Sequence, residues 1–172
     1  EMIEASKPTV DATGVRGLHY LLATPFRYPP LRHGSRFGRR HERGIWYASE
    51  HVETTLAEAA YYRFVFLSGT AAAIDHADSE HTVFAIGLAC ERGLDLTAGP
   101  FAKHRKLLAS PVDYRATQEL GTRMREAAVE VFRYASARDR EGRPNLGVFA
   151  PSAFTAKQPH GQQTWHCSAS RK

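Results

Sequence analysis

The order of helix-like and strand-like segments limits the fold of this chain more than any other feature. Apolar residues recur at helical spacing in 50–63 and in 114–129. Segments typical of strands are more numerous, and they lie at 44–48, 81–89, 95–97, 131–136, 146–150 and at the alternating residues Trp165, Cys167 and Ala169. Because 139–145 has the composition of a turn, residues 131–150 are predicted to form a hairpin. Strands that outnumber helices without alternating with them predict an α+β fold with mostly antiparallel sheets and flanking helices.

The chain has the size and composition of a single compact domain. Its 172 residues include 42% hydrophobic and 24% charged side chains, which is typical of a soluble globular protein. Residues 1–14 are polar and are predicted to form a loose N-terminal segment, so the domain is assigned to 15–172. No apolar run is long enough to predict a membrane span, and the first residues show no secretory signal.

The two cysteines, Cys90 and Cys167, have neither metal-ligand nor redox spacing. This favours two reduced thiols in a cytoplasmic protein, with a single disulfide as the alternative. His160, His166 and Cys167 come closest to a metal-binding set, but their spacing fits no common zinc site, so no metal is predicted.

Residues 15–24 are apolar enough to form a first buried element, which is either a strand or a short helix. Three prolines follow at Pro25, Pro29 and Pro30. Because proline interrupts regular backbone hydrogen bonding, residues 25–43 are predicted to be mostly extended or loop.

This predicted loop is rich in arginine. It contains Arg27, Arg32, Arg36, Arg39, Arg40 and Arg43. Aromatic residues lie beside them, at Tyr28, Phe37, Trp46 and Tyr47. Single arginines in such a loop are ordinarily solvated, but guanidinium groups beside flat rings suit a ligand with both phosphates and aromatic bases. A dinucleotide and a single-stranded nucleic acid both have this chemistry, and a net charge of +5 favours either.

Glu58 helps to separate these ligands. It lies two turns into the helix predicted at 50–63, for which Ser49 is the predicted N-cap. Its neighbours are apolar, and a carboxylate is costly to bury among them unless it is paired. One interpretation is an ordinary surface glutamate. The other is a carboxylate that faces the arginine-lined site, which suits an enzyme that builds positive charge on a sugar but does not suit a nucleic-acid groove.

Several motifs in order along the chain resemble those of the RES-domain toxins of bacterial toxin–antitoxin pairs. The motifs are "PFRYPPLRHGSRFG", "RGIWYASEHVETTLAEAAYYR", "DLT", "DYRATQEL" and "FRYASARDREGRPNLGVF". The resemblance covers roughly residues 18–170. It departs from the usual family pattern at "GSRFGRR", where many members have "GGRWN" or "GGRFN", and this bears on how a pyrophosphate is held.

The resemblance implies a fold similar to that of ADP-ribosyltransferases and an enzyme that consumes NAD as its substrate, without a metal. It implies hydrolysis or phosphorolysis of the nicotinamide–ribose bond, or alternatively transfer of ADP-ribose to a cellular protein. The acceptor stays open between water, phosphate and a protein side chain. The implied partner is an Xre-type antitoxin that covers the site and carries the DNA-binding element. A basic nucleic-acid-binding module is the remaining alternative from another class.

The resemblance also implies site residues. Arg27 and Arg36 would hold the pyrophosphate, and Tyr28 and Tyr47 would pack against nicotinamide or its ribose. Glu58 would stabilise the positive charge that develops on the ribose when nicotinamide leaves. Ser136 would hydrogen-bond the ribose or the amide. Asn145 is a further candidate, which the predicted hairpin would bring to the same pocket.

Overall fold

The computed structural model describes residues 14–28, 32–69 and 76–170. In these residues the helices are α1 Tyr20–Arg27, α2 Val52–Gly69, α3 Arg105–Leu108 and α4 Arg115–Glu126. The strands are β1 Trp46–Ser49, β2 His76–Ala85, β3 Gly93–Asp95, β4 Val131–Ala135, β5 Pro144–Val148 and β6 His160–Ser170. Short 3₁₀ turns occupy Gly99–His104 and Pro151–Ala153. The predicted loose segment 1–14 lies outside the described residues except for Gly14.

The strands form two sheets. The larger sheet has the order β1-β5-β4-β3, in which the β3–β4 pair is parallel and the other pairs are antiparallel. The smaller sheet pairs β2 with β6 antiparallel. The predicted α+β fold with mostly antiparallel sheets is therefore confirmed, and so is the hairpin, because β4 pairs directly with β5.

The larger sheet separates two apolar clusters, because neighbouring residues of a strand point to opposite faces. In β1, Trp46 belongs to the cluster that contains α1, whereas Tyr47 packs against the cluster that contains α4. In β4, Val131 and Phe132 divide between the clusters in the same way. The face that carries Tyr47 and Phe132 is the one that continues into the candidate site.

Helix α1 corrects the prediction for the first proline. The helix includes Pro25 and ends at Arg27, so the loop predicted for 25–43 begins later than expected. Proline at this position deprives the carbonyl of Leu21, four residues earlier, of its helical partner. The indole Nε1 of Trp46 donates to that carbonyl at 3.1 Å instead. Pro29 and Pro30 lie outside the described residues.

A second correction concerns Ser49. This residue is the last of β1 and does not cap the next helix, since α2 begins at Val52. Its hydroxyl donates to Oδ1 of Asn145 at 2.6 Å, on the neighbouring strand. The helix itself is confirmed, and it extends six residues beyond the predicted end at Arg63.

The remaining elements are close to their predicted positions. The strand predicted at 81–89 is displaced towards the N-terminus, since β2 spans His76–Ala85 and Leu88 forms only an isolated bridge. Helix α4 and the last strand, β6, are confirmed. Cys90 and Cys167 are both free thiols. Across the described ranges, no helix combines the length and apolar character needed to cross a membrane.

Candidate active site

Three strands bring polar side chains into one row at an end of the larger sheet. Ser49 on β1 is opposite Asn145 on β5, and Asn145 is opposite Tyr134 on β4. Ser136 follows Tyr134 by two residues and so continues on the same face, just beyond the end of the strand. Asn145 and Ser136 are both buried, so a row of polar side chains lies at one end of an otherwise apolar sheet face.

Helix α2 brings Glu58 to this row. Oε1 of Glu58 accepts a hydrogen bond from the hydroxyl of Ser136 at 2.7 Å and another from Nδ2 of Asn145 at 2.6 Å. Placing a carboxylate close to an apolar sheet costs free energy unless hydrogen bonds of this kind replace its contacts with water. The two donors therefore fix the position of Glu58 between the helix and the hairpin.

The other hydrogen bonds of the two donors fix the direction of their protons. The hydroxyl oxygen of Ser136 accepts from the backbone N–H groups of Arg138 and Asp139, each at 3.1 Å, so its single proton is left for Glu58. Oδ1 of Asn145 accepts from Ser49, which turns the amide nitrogen towards Glu58. Both groups offer protons to Glu58 and neither offers it an acceptor. This is the arrangement that a carboxylate anion requires.

Asp139 holds the turn from which Ser136 receives these hydrogen bonds. Burial opposes the ionisation of Asp139, but hydrogen bonds from Thr54, from the backbone of Glu141 and Arg143 and from the Arg143 side chain lower its pKa to about 2. Oδ2 accepts from the buried hydroxyl of Thr54 at 2.8 Å and from Nε of Arg143 at 2.9 Å. The carboxylate thereby ties the beginning of α2 to the hairpin.

A cavity of about 190 Å³ opens beside Glu58. Its wall contains four tyrosines, two arginines, one carboxylate and several small polar residues. They are Ser35, Arg36, Tyr47, Ala48, Ser49, Thr55, Glu58, Tyr62, Tyr114, Tyr134, Arg138 and Asn145. Flat rings, two cations and one fixed anion in the same wall suit a ligand that has aromatic, anionic and sugar-like parts.

The segment that carries Arg36 is held by α4 and by β1. Nε2 of Gln118 donates to the carbonyls of His33 and Ser35 at 3.1 and 3.0 Å. A Cβ atom on Gly121 would collide with the carbonyl oxygen of Phe37, so only glycine lets the helix approach this closely. The hydroxyl of Tyr47 accepts from the backbone N–H of Phe37 at 3.1 Å and shares a hydrogen bond with Ser35 at 2.9 Å.

Burial also keeps the hydroxyl groups of two tyrosines in the wall protonated. It raises the pKa of Tyr47 to about 12, although hydrogen bonds from Ser35 and Phe37 and the charges of Arg125 and Arg36 act in the opposite direction. Burial raises the pKa of Tyr134 well above its ordinary value. Both hydroxyls are therefore neutral hydrogen-bonding groups over the physiological pH range.

Arg36 and Arg138 are anchored on the same short segment, 108–111. Nη1 of Arg36 donates to the carbonyls of Leu108 and Ser110, at 3.3 and 2.7 Å, and its guanidinium lies 4.6 Å from the centre of the Tyr114 ring. Nη2 of Arg138 donates to the carbonyl of Pro111 at 2.8 Å. Neither guanidinium forms an ion pair with a carboxylate of the described residues.

The family model for the RES domain matches residues 11–170 of the chain. The chain belongs to the RES family. No curated protein matches the sequence. The RES family is generally linked to enzymatic processing of NAD, and the domain is consistent with an NAD-related toxin–antitoxin module.

Most of the candidate site residues of this RES domain come together in the structure. Arg36, Tyr47, Glu58 and Asn145 line the cavity, and Ser136 is hydrogen-bonded to Glu58 from the adjacent turn. The roles assigned to them stay predictions.

Arg27 and Tyr28 are not among the residues that line the cavity. Arg27 ends α1, where its Nε atom is buried without an acceptor among the described residues. The side chain of Tyr28 is exposed. Two aromatic residues beside the arginine-rich segment, Phe37 and Trp46, are buried in the two apolar clusters and offer no surface to a ligand.

Sequence reasoning did not assign eight residues of the cavity wall, and Tyr62, Tyr114, Tyr134 and Arg138 are the four large ones among them. Tyr134 could have been found from Ser136, because residues two apart on a strand point to the same face. Arg138 had a weaker signal, since it only follows Ser136 by two residues in an irregular turn. His160, His166 and Cys167 all lie on β6, and no cluster of three or more potential metal ligands occurs among the residues described.

Proposed function

We propose that this RES domain cleaves the nicotinamide–ribose bond of NAD. The observation that carries the proposal is the position of the Glu58 carboxylate. Hydrogen bonds from Ser136 and Asn145 hold it in the wall of a cavity that also contains two guanidinium groups. Oε1 of Glu58 receives both hydrogen bonds, so the other carboxylate oxygen has no hydrogen-bond partner within the described ranges. That oxygen is free to act on a bound ribose.

This arrangement supports the following reaction. The bond between C1′ of the ribose and the nicotinamide nitrogen breaks, and its electron pair neutralises the charge of the pyridinium ring. The ribose carbon becomes positively charged, as in glycoside cleavage. Glu58 stabilises that charge without moving, because its position is already fixed. Water then adds to C1′ and releases a proton, or phosphate adds in its place. Nicotinamide leaves as a neutral molecule, so no metal is required.

The other residues of the cavity have roles that fit the remaining parts of NAD. Arg36 is a guanidinium without a carboxylate partner among the described residues, and it is suited to bind a phosphate of the pyrophosphate. Tyr47, with a neutral hydroxyl committed to the Arg36 segment, presents its ring to nicotinamide or its ribose. Ser136 and Asn145 act through Glu58, which they hold in place.

Nicotinamide release from NAD by the purified protein tests the proposal. We expect Glu58→Gln to lower the rate by about 100- to 1000-fold, because the isosteric amide keeps the hydrogen bonds but loses the charge. Glu53→Gln is the matched control, since Glu53 lies in the first turn of the same helix and is exposed. A folded Glu58→Gln variant that retains full activity would exclude the proposal.

The same assay identifies the acceptor. Dependence of the rate on inorganic phosphate indicates phosphorolysis, and activity without phosphate indicates hydrolysis. ADP-ribose that appears on a protein rather than in small products indicates the alternative, transfer to a cellular target.

We also propose that the protein is the toxin of a type II pair and that an Xre-type antitoxin covers the cavity. Exposed apolar side chains support a protein partner at this position. Tyr62 lines the cavity and is 63% exposed, and Phe66, one turn further along α2, is 53% exposed. Inhibition of nicotinamide release by the co-expressed partner, and loss of that inhibition in Phe66→Glu, would support this arrangement. Full inhibition of the variant would place the partner elsewhere.

A further inference from the structure

Arg138 lines the cavity with its guanidinium fixed from two sides. The guanidinium carbon lies 3.4 Å from the centre of the Tyr61 ring on α2, and Nη2 donates to the carbonyl of Pro111 at 2.8 Å. The backbone N–H of the same residue donates to Ser136, which in turn donates to Glu58. Arg138 is therefore positioned by the same turn that positions the candidate catalytic carboxylate.

The charge of Arg138 is not paired with any of three acids that lie near it or near Pro111 in sequence. Asp139 is committed to Thr54 and Arg143. Glu141 lies 3.6 Å from the Arg143 guanidinium, and Asp113, close to Pro111 in sequence, pairs with Arg115 at 2.6 Å. Each of these three acids has another cation as its partner, and Glu58, in the same cavity wall, is hydrogen-bonded to Ser136 and Asn145 and forms no ion pair with Arg138 among the described residues.

The segment 108–111 brings Arg138 and Arg36 together. Arg36 binds the carbonyls of Leu108 and Ser110, and Arg138 binds the carbonyl of the next residue, Pro111. Each guanidinium has five N–H donors and uses one nitrogen on this segment. Two cations that are anchored a few residues apart, and that retain unused donors in one cavity wall, match a ligand with two adjacent negative charges.

We propose that Arg138 is a binding residue for the diphosphate of the substrate, together with Arg36. This inference rests on the proposed function for the identity of the substrate, but the anion site itself does not depend on the reaction. It gives the cavity a second guanidinium, from the hairpin turn, in the role for which sequence analysis had expected Arg27 from the arginine-rich loop.

Binding of ADP and of nicotinamide, each measured by calorimetry, separates a phosphate contact from a structural role. We expect Arg138→Gln to weaken ADP binding by about 10- to 100-fold, the loss expected for hydrogen bonds between charged groups. Nicotinamide binding should not change, because nicotinamide has no phosphate. Arg138→Lys should recover part of the ADP affinity, since it restores the charge but not the planar donor group.

Arg140→Gln is the matched control, because Arg140 lies in the same turn, is exposed and has the same charge. The proposal is overturned if ADP does not bind to the native protein, if Arg138→Gln binds ADP normally, or if the variant loses ADP and nicotinamide affinity equally. Steady-state kinetics with NAD add a second readout, in which KM rises and kcat stays within about threefold. If the native protein binds ADP but releases no nicotinamide, and Arg138→Gln loses ADP binding, the anion site is supported and the proposed reaction is rejected.

Discussion

Glu58 owes its position to two residues that are far from it in sequence. Ser136 and Asn145 are 78 and 87 residues away, and each has its remaining hydrogen bonds committed to other groups. The hydroxyl of Ser136 and the amide nitrogen of Asn145 are therefore both directed at Glu58. A carboxylate held in this manner needs no rearrangement when positive charge develops nearby, which is the condition under which electrostatic stabilisation is most effective.

Tyr47→Phe tests how the cavity holds Arg36. The change keeps the ring but leaves the backbone N–H of Phe37 and the hydroxyl of Ser35 without their partner. We expect the free energy of unfolding to fall by about 1–3 kcal/mol, the cost of a buried unpaired group. We also expect KM for NAD to rise, because the residues on both sides of Arg36 are released.

Urea unfolding and steady-state kinetics measure the two effects, and Tyr20→Phe, at an exposed residue of α1, is the control. A loss of stability without any change in KM would assign the Tyr47 hydroxyl to folding alone.

Single residues of the site were predictable to different degrees. Glu58 stood out as a carboxylate among apolar neighbours in a clear helix. Its grouping with Ser136 and Asn145 came from the family resemblance, because no periodicity relates residues that lie on separate elements. Arg138 could not be found in this way, since the direction of a side chain in an irregular turn depends on contacts with Tyr61 and Pro111 that spacing does not reveal.

At the scale of elements, α4 is the support for the segment that carries Arg36. Gln118 binds two carbonyls of that segment, and Gly121 lies against the backbone of Phe37. One turn after Gln118, Thr122 donates to Glu42, which also accepts from the backbone N–H of Arg39. One face of a single helix thus determines the course of a long irregular stretch.

Gly121→Ala should disturb this contact. The added methyl group would overlap the carbonyl oxygen of Phe37, so either the helix or the Arg36 segment must move. We expect a loss of about 1–3 kcal/mol in the free energy of unfolding, as for other overpacked sites. Thermal unfolding measures the loss, and Gly69→Ala, where a Cβ meets no neighbour within 4 Å, is the control. Equal stability of the two variants would contradict the close approach.

The differences between predicted and observed elements have a common physical cause. Pro25 is tolerated in α1 because Trp46 supplies a donor to the carbonyl that proline leaves without one. Ser49 does not cap α2 because it pairs with Asn145 as the last residue of β1, three residues before the helix begins at Val52. In both cases a side chain from a distant strand overrides a local preference, and local patterns contain no information about such a partner. Where the distant contacts of an element leave its local pattern intact, as in α4 and the β4–β5 hairpin, the prediction is confirmed.

At the scale of the whole molecule, acid should weaken the attachment of α2 to the hairpin. Asp139, which makes this attachment, has a pKa of about 2 in the folded protein, below the ordinary value of 3.8. As the pH falls, the unfolded chain therefore binds a proton first, and unfolding becomes more favourable. We expect the free energy of unfolding to decrease from about pH 4 to about pH 2.

Urea unfolding at a series of pH values measures this decrease. Asp139→Asn should give a shallower slope, because it removes one of the groups that bind a proton on unfolding. Asp113, whose pKa the hydrogen bond from Arg115 lowers to about 2, should contribute in the same direction. An Asp139→Asn slope equal to that of the native protein would show that other carboxylates account for the acid sensitivity.

The long sequence separation between Glu58 and its two donors has a consequence for a chain still being made on the ribosome. When α2 has emerged, Glu58 is present, but neither Ser136 nor Asn145 has been synthesised, and strands β4 and β5, which contribute Tyr134 and Asn145 to the cavity wall, have not been made. Under the proposed function, a nascent or truncated product that stops before the hairpin therefore lacks the fixed carboxylate on which activity towards NAD depends. Glu58 acquires both of its donors only after some five-sixths of the 172 residues have been joined and folded together.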